Sequence, residues 1–298
     1  MASDAQLRRI IIGVDPLGRW ENALNVGLDL AQRFGAGVEI VHGVRPPHHL
    51  RPELTPQDVE AARLAITTRL EASLAGARME SGPQSERELV VEATRHPAQL
   101  LLDRARTPDA DLLVLGRHRQ RGLFDFGSTL RAVLSGANCP VWVQAGPVRV
   151  VRRILVPVDL SQESLAALRH ACAWARALDA KLHVVHCFQQ PELLADAGHP
   201  VTGPTYVLDH LREDAEAEFA AVLAGFDFLG AEYTSEFVEE EPASCILDHQ
   251  DEVDLVMMGS HGRTGFSAAL LGNVTLSVLR SGHVPVVVMR HPEREWVL

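Results

Sequence analysis

The sequence predicts a parallel α/β fold built twice in one chain. Short apolar runs alternate with amphipathic helical stretches, the pattern of βαβ units with right-handed crossovers and helices on both sheet faces. The whole pattern then recurs: Arg8-Arg-Ile-Ile-Ile-Gly-Val-Asp15 is answered by Arg152-Arg-Ile-Leu-Val-Pro-Val-Asp159. A length of 298 residues leaves room for two domains of ordinary size.

The elements repeat one by one. Each opening run is continuously apolar and ends in Asp, as in a parallel strand buried on both faces. A helix follows. In the second copy Ser161 has the chemistry of an N-cap, and Leu168, Cys172, Ala175 and Leu178 recur at helical spacing. Leu24, Leu28, Ala31 and Phe34 stand at the same offset in the first copy. Val38-Glu-Ile-Val-His42 and Leu182-His-Val-Val-His186 read as second strands ending in the same residue. Leu89-Val-Val-Glu-Ala and Glu236-Phe-Val-Glu-Glu read as third strands.

Pro97-Ala-Gln-Leu-Leu-Leu-Asp103 and Pro242-Ala-Ser-Cys-Ile-Leu-Asp248 open helices with Pro in the first turn. Asp111 to Gly116 and Asp254 to Gly259 are fourth strands, and Cys139-Pro-Val-Trp-Val and Val284-Pro-Val-Val-Val are fifth strands. The first unit is expected over residues 1–147 and the second over 151–292. The linker near Ala145-Gly-Pro-Val-Arg149 is short enough that the halves should dock.

Composition narrows the function. No charge-free stretch reaches the roughly 18 residues of a membrane-spanning helix. Met1-Ala-Ser-Asp-Ala-Gln-Leu-Arg-Arg runs directly into a strand, so no signal peptide is expected. Cys139, Cys172, Cys187 and Cys245 form no C-x-x-C pair, which argues against a structural zinc site and for a reducing cytoplasm. A net charge of −11 disfavours nucleic acid as a partner. Lys181 is the sole lysine, so no Walker-type phosphate loop can be completed. Neither G-x-S-x-G nor H-E-x-x-H occurs, and no catalytic residue is assigned.

In an open parallel sheet, ligands bind beyond the carboxyl ends of the strands, where strand order reverses. In the second copy those ends carry Asp159, His186-Cys187 and the loop Gly259-Ser-His-Gly262-Arg-Thr-Gly265, with Leu271-Gly-Asn-Val-Thr275 following. Glycines let backbone amides approach phosphate oxygens, and a helix starting near Asn273 would add its positive end.

Strand-Asp, strand-His and then G-x2-G-x9-G-[S/T] is a pattern that resembles the universal stress protein family. The chain carries it twice, over essentially its full length, and the stretch from Gly262 to Asn273 is most similar to the tandem, E-type members. The resemblance implies two Rossmann-like, adenine nucleotide alpha hydrolase-like domains packed as a pseudo-dimer through the last strands, Pro140-Val-Trp-Val and Pro285-Val-Val-Val. It implies a stress-response protein that acts by binding rather than turnover. By match, Asp159 and the backbone at Cys187 would hold adenosine. Met258, Gly259, His261 and Gly262 would wrap the phosphates, with Gly272, Asn273, Val274 and Thr275 completing the site. ATP is the implied cofactor, with Mg²⁺ recruited through its phosphates.

Two departures are visible. Asn273 replaces the hydroxyl residue, although its amide can still donate a hydrogen bond. In the first copy Arg119 replaces the second glycine, and the loop between Gly116 and Gly127 is two residues shorter than its counterpart. Asp15, Gly116, Gly127 and Ser128 therefore mark a degenerate site.

Plainer readings stand beside these. Asp15 and Asp159 fit as caps of the following turns. His42 and His186 fit as packing or hydrogen-bonding residues. His183 and His186 point to opposite faces of a strand, so no metal site is expected. Arg117-His-Arg-Gln-Arg121 either holds an anion or is an exposed loop, and Glu239-Glu-Glu241 reads as a solvated strand end. Three functions follow in order: an ATP-binding stress protein, a member that binds another small or lipid-like ligand or a protein partner, and a weak ATP hydrolase. In the second, an extended segment from Gln189 to Leu211 would cover an apolar cavity. The fused halves could also associate further as a homodimer.

Overall fold

The computed structural model describes residues 7–15, 20–44, 55–76, 87–106, 110–117, 127–189, 205–260 and 271–289. The first half contains β1 (Arg9–Gly13), α1 (Glu21–Phe34), β2 (Gly37–Val44), α2 (Pro56–Gly76), β3 (Arg87–Ala93), α3 (Pro97–Ala105), β4 (Leu112–Gly116), α4 (Ser128–Gly136) and β5 (Val141–Gln144). The second half repeats them as β6 (Arg153–Pro157), α5 (Gln162–Leu178), β7 (Lys181–Phe188), α6 (Thr205–Ala224), β8 (Tyr233–Glu239), α7 (Pro242–Asp248), β9 (Leu255–Gly259), α8 (Asn273–Ser281) and β10 (Val286–Met289). A single 3-10 turn, His249–Glu252, follows α7.

Ile10, Ile11 and Ile12 alternate across β1 and all three are fully buried, so the strand has to be covered on both faces. Ile154, Leu155 and Val156 impose the same requirement on β6. Two apolar layers answer it. One contains Ile10, Ile12, Leu24 and Leu28 together with Ile154, Val156, Leu168 and Cys172. The other contains Ile11, Leu102 and Leu134 together with Leu155, Ile246 and Leu279. Each layer runs unbroken from one half into the other. Burial in this layer also pushes the Cys172 thiol up to about 12, leaving it an inert packing group.

The ten strands of the described residues form one sheet in the order β3-β2-β1-β4-β5-β10-β9-β6-β7-β8. Pairing is parallel within each half and antiparallel where β5 meets β10. The halves thus join through their last strands, with Val287 opposite Trp142. Local anchors repeat along with the strands. Asp111 accepts from the Arg8 and Arg9 amides at 2.7 and 3.2 Å, and Asp254 accepts from the Arg152 and Arg153 amides at 2.9 and 3.0 Å.

Helix contacts reinforce the seam. Trp174 of α5 lies 5.6 Å from Trp142 and 6.2 Å from Phe34 of α1, ring centre to ring centre. Arg33 donates to the Ala177 carbonyl at 2.8 and 3.1 Å. Gly282 is needed at the turn after α8, because a Cβ there would meet the Gln250 amide at 2.5 Å and the Val278 carbonyl at 2.6 Å.

One expectation needs correction. The stretch read as extended to Leu211 is already helical from Thr205, where α6 begins. Leu, Arg, Glu and Ala dominate from Leu208 to Ala221, and their helix propensity prevails immediately after Pro204. Residues 190–204 lie outside the described residues.

Candidate functional site

Strand order reverses between β1 and β4 in the first half and between β6 and β9 in the second. Successive connections leave β6 toward opposite sides, which opens a crevice beyond the carboxyl ends of β6 and β9. Asp159 lies one residue past Val158, whose amide still bonds Val185 of the neighbouring strand at 2.8 Å. Met258 and Gly259 end β9, and Gly272, Asn273, Val274 and Thr275 begin α8.

Ser260 ties these pieces together. Fully buried, it donates its amide to the Met289 carbonyl at 2.9 Å and accepts at its own carbonyl from the Gly272 amide, also at 2.9 Å. The buried Thr275 hydroxyl donates to the Gly259 carbonyl at 3.1 Å, so it locks α8 onto the end of β9. Asn273 is exposed and its side chain is positioned at the first turn of the helix. No side chain caps this end of α8, and the first intrahelical bond runs from Leu276 to Gly272. The amides of Asn273, Val274 and Thr275 are the ones such a helix start leaves without intrahelical partners.

Asp159 is engaged by the turn that follows it. Its Oδ1 accepts from the Ser161 amide at 3.1 Å and from the Ser161 hydroxyl at 2.5 Å. Ser161 in turn caps α5 by accepting from the Ser164 amide at 3.2 Å, and Ser164 Oγ accepts from the Asp159 amide at 3.3 Å. The tight turn holds Leu160 at φ 63°, a left-handed conformation that branched or bulky side chains rarely adopt. The capping role anticipated for Asp159 is therefore present, and it fixes the carboxylate at the mouth of the crevice. Ser164 was not legible as part of this turn; the S-x-x-S spacing after Asp159 is the signal that could have revealed it.

His186 is buried and donates Nδ1–H to the Val158 carbonyl at 2.8 Å, while its ring stacks on Phe219 and Phe237. His42 does the same to the Val14 carbonyl at 2.7 Å. Both histidines pin the end of the first strand, in agreement with the hydrogen-bonding reading. Cys187 follows on the opposite face beside Cys245, and its hydrogen bond with Cys245, together with burial, pushes its thiol up, away from the thiolate a nucleophile needs. Glu241, expected to be merely solvated, caps α7 by accepting from the Ser244 amide at 2.8 Å.

In the first half Asp15, Gly116, Gly127 and Ser128 fall at the matching strand and helix ends. Gly127 sits at φ 30° before α4. Arg117 has a different task from either one anticipated for its cluster. It is half-buried and its guanidinium donates to the Gly282 carbonyl of the second half. Burial pulls its pKa below the usual arginine value. His261, Gly262 and Arg119 lie outside the described residues.

Comparison with known proteins follows this geometry. The sequence pattern of the Universal stress protein family matches residues 6–144 and again residues 151–290. Universal stress protein Rv2623 of Mycobacterium tuberculosis is 26% identical over 308 residues, covering 97% of this chain and 99% of its own. Universal stress protein MJ0531 of Methanocaldococcus jannaschii is 29% identical over 147 residues, covering 48% of this chain and 85% of its own. A universal stress protein structure from Archaeoglobus fulgidus superposes with a TM-score of 0.62 at 17% identity, covering 96% of this chain and 99% of that one. That likeness extends the shared fold across both halves.

Proposed function

The chain belongs to the universal stress protein family, and on that premise we propose that its second half binds an adenine nucleotide, ATP foremost. The protein then acts in the stress response by binding rather than turnover. The observation that carries the reading is the open start of α8, held by Ser260 against the end of β9 at the strand-order switch. Three amides and the positive end of the helix dipole converge there, which suits phosphate oxygens. Asn273 supplies an amide donor in place of a hydroxyl. Asp159, oriented by Ser161, suits the ribose hydroxyls, and Gly259 and Gly272 present no side chain at the end of β9 and the start of α8. Mg²⁺ would enter with the phosphates, since no all-protein cage for it stands at this crevice among the described residues.

The units of this reading are residues 1–147 and 151–292, with the nucleotide in the second. In the first, Arg119 stands at the second glycine position and Arg117 is turned toward Gly282. Asn273 also motivates a second reading, in which the crevice is retuned for a different small ligand. The two are separated by calorimetric titration of Mg-ATP into the full chain. We expect binding in the micromolar range, about −8 kcal/mol, abolished by Gly262→Glu. Recovery of binding only in Asn273→Ser would favour a retuned site. Silence in all three proteins would defeat the nucleotide reading.

A further inference from the structure

Away from the crevice, the second half gathers three ligating side chains from three separate elements. His183 stands near the start of β7, Glu236 in the middle of β8 and His249 in the 3-10 turn after α7. Their donor atoms all lie within 4.8 Å of one another, and they form the metal-competent cluster of three among the described residues. His183 Nε2 is 3.4 Å from Glu236 Oε2, and His249 Nε2 is 3.3 Å from the same oxygen.

The hydrogen bonds fix which nitrogens face inward. Thr234 donates its hydroxyl to the Leu182 carbonyl at 3.4 Å, so its oxygen accepts from His183 Nδ1–H at 2.9 Å. The Cys245 carbonyl can only accept, so His249 donates Nδ1–H to it at 2.7 Å. With both Nδ1 atoms protonated, two Nε2 lone pairs and one carboxylate oxygen converge on a single point. Three acceptors facing one another repel unless a cation lies between them. Outer-shell bonds from Nδ1 to a carbonyl and a hydroxyl are the arrangement that orients metal-bound imidazoles. The spacing agrees too, because tetrahedral bonds of about 2.1 Å place neighbouring ligands about 3.4 Å apart.

The first half shows what the same place looks like without this function. By strand register Glu39 stands where His183 does, and by helix alignment Arg104 stands where His249 does. There the buried Glu39 pairs with Arg104 at 3.0 Å and with Arg9, and the two arginines also reach Glu88 and Glu92. The second half has exchanged Glu39 and Arg104 for two imidazoles that remain partly open to solvent.

We propose that His183, Glu236 and His249 form a binding site for a divalent cation of zinc type, with water completing a four-coordinate shell. Two imidazoles and a carboxylate are the donor set such an ion takes when one position stays open. The competing occupant is a proton. Against the lowering effect of burial, the Cys245 carbonyl and Glu236 together raise the His249 pKa above its ordinary value, while burial and His249 lower that of His183. A single shared proton would then suffice to hold the cluster.

The test uses the full chain after chelator treatment, titrated with Co²⁺ as a coloured probe and then with Zn²⁺ in competition. The site predicts one equivalent bound, with tetrahedral Co²⁺ absorption bleached by Zn²⁺. His249→Ala and the nearly isosteric Glu236→Gln should each weaken binding by at least the ~10–100-fold that loss of an outer-shell partner costs. Thr234→Val should weaken it by about tenfold. Cys187→Ser should leave it unchanged, which separates this site from the neighbouring thiols. No bound equivalent in the wild type, or equal binding in Glu236→Gln, would overturn the proposal and leave the proton as the occupant.

Discussion

Replacing Trp142 by Ala should destabilise the whole chain by about 3–5 kcal/mol, the range for deleting a buried large aromatic. Trp142 is 1% exposed and sits on the strand that joins the two halves, directly opposite Val287. Its ring packs on Trp174 of the other half, and its Nε1 donates to Gln144 Oε1 at 2.7 Å. Gln144 in turn donates to the Gly146 and Pro147 carbonyls at 3.3 Å, so the indole also anchors the start of the linker. Truncation opens a cavity at the seam and strips a buried amide of its partner, and the two costs act together. Urea unfolding followed by circular dichroism reads the effect. The expected change is a lower midpoint and a transition that broadens or splits as the halves lose their coupling. A loss below about 1 kcal/mol would mean that the seam is held chiefly by strand pairing.

The second large effect separates binding from folding. Gly272→Asp should reduce ATP affinity by about 100- to 1,000-fold while leaving thermal stability unchanged or slightly raised. Gly272 holds the N-cap position of α8 with φ −62° and ψ 147°, a conformation open to any residue. Asp is a favoured N-cap, and its charge complements the helix dipole, so the fold gains a few tenths of a kcal/mol. The same carboxylate would occupy the place offered to phosphate. At about 4 Å and an effective dielectric of about 20, each like charge costs about 4 kcal/mol, enough for the stated loss. Equal affinity in the variant would place the phosphates elsewhere.

Much of the fold is legible in the residues because of where these strands sit. Ile10-Ile-Ile12 and Ile154-Leu-Val156 are apolar on every position, and that pattern suits a strand covered on both faces. The repeat then assigns each later strand and helix by its counterpart. Pro97 and Pro242 mark helix starts for the same local reason, a fixed φ and an absent N–H. The antiparallel seam could not be derived from periodicity, because Val286-Val-Val and Val141-Trp-Val would suit either direction. The family resemblance implies that the last strands pair, and the register shows that they run antiparallel.

The candidate site was legible only in part. Strand-end Asp, strand-end His and spaced glycines survive in the linear sequence because each serves a local turn. The engagement of Asp159 by Ser161 and of Thr275 by the Gly259 carbonyl depends on atoms meeting in space. So does the His183, Glu236 and His249 cluster, whose members come from two strands and a turn far apart in the chain. Considering His183 only with its sequence neighbour His186 pointed away from any metal, because pleating sends those two rings to opposite faces. The true companions are diagonal on the adjacent strand and above it. Arg117 shows the same limit, since nothing near it in sequence announces the Gly282 carbonyl that it reaches.

The most direct measurement is the number of ATP molecules bound per chain at saturation with Mg²⁺, taken by equilibrium dialysis on the wild type and on Ser128→Asp and Gly272→Asp. Ser128 begins α4 as Asn273 begins α8, so its replacement places a like charge at the first-half helix start. A second-half site predicts one nucleotide per chain, retained in Ser128→Asp and lost in Gly272→Asp. Two nucleotides per chain, or loss confined to Ser128→Asp, or none in the wild type, would contradict it.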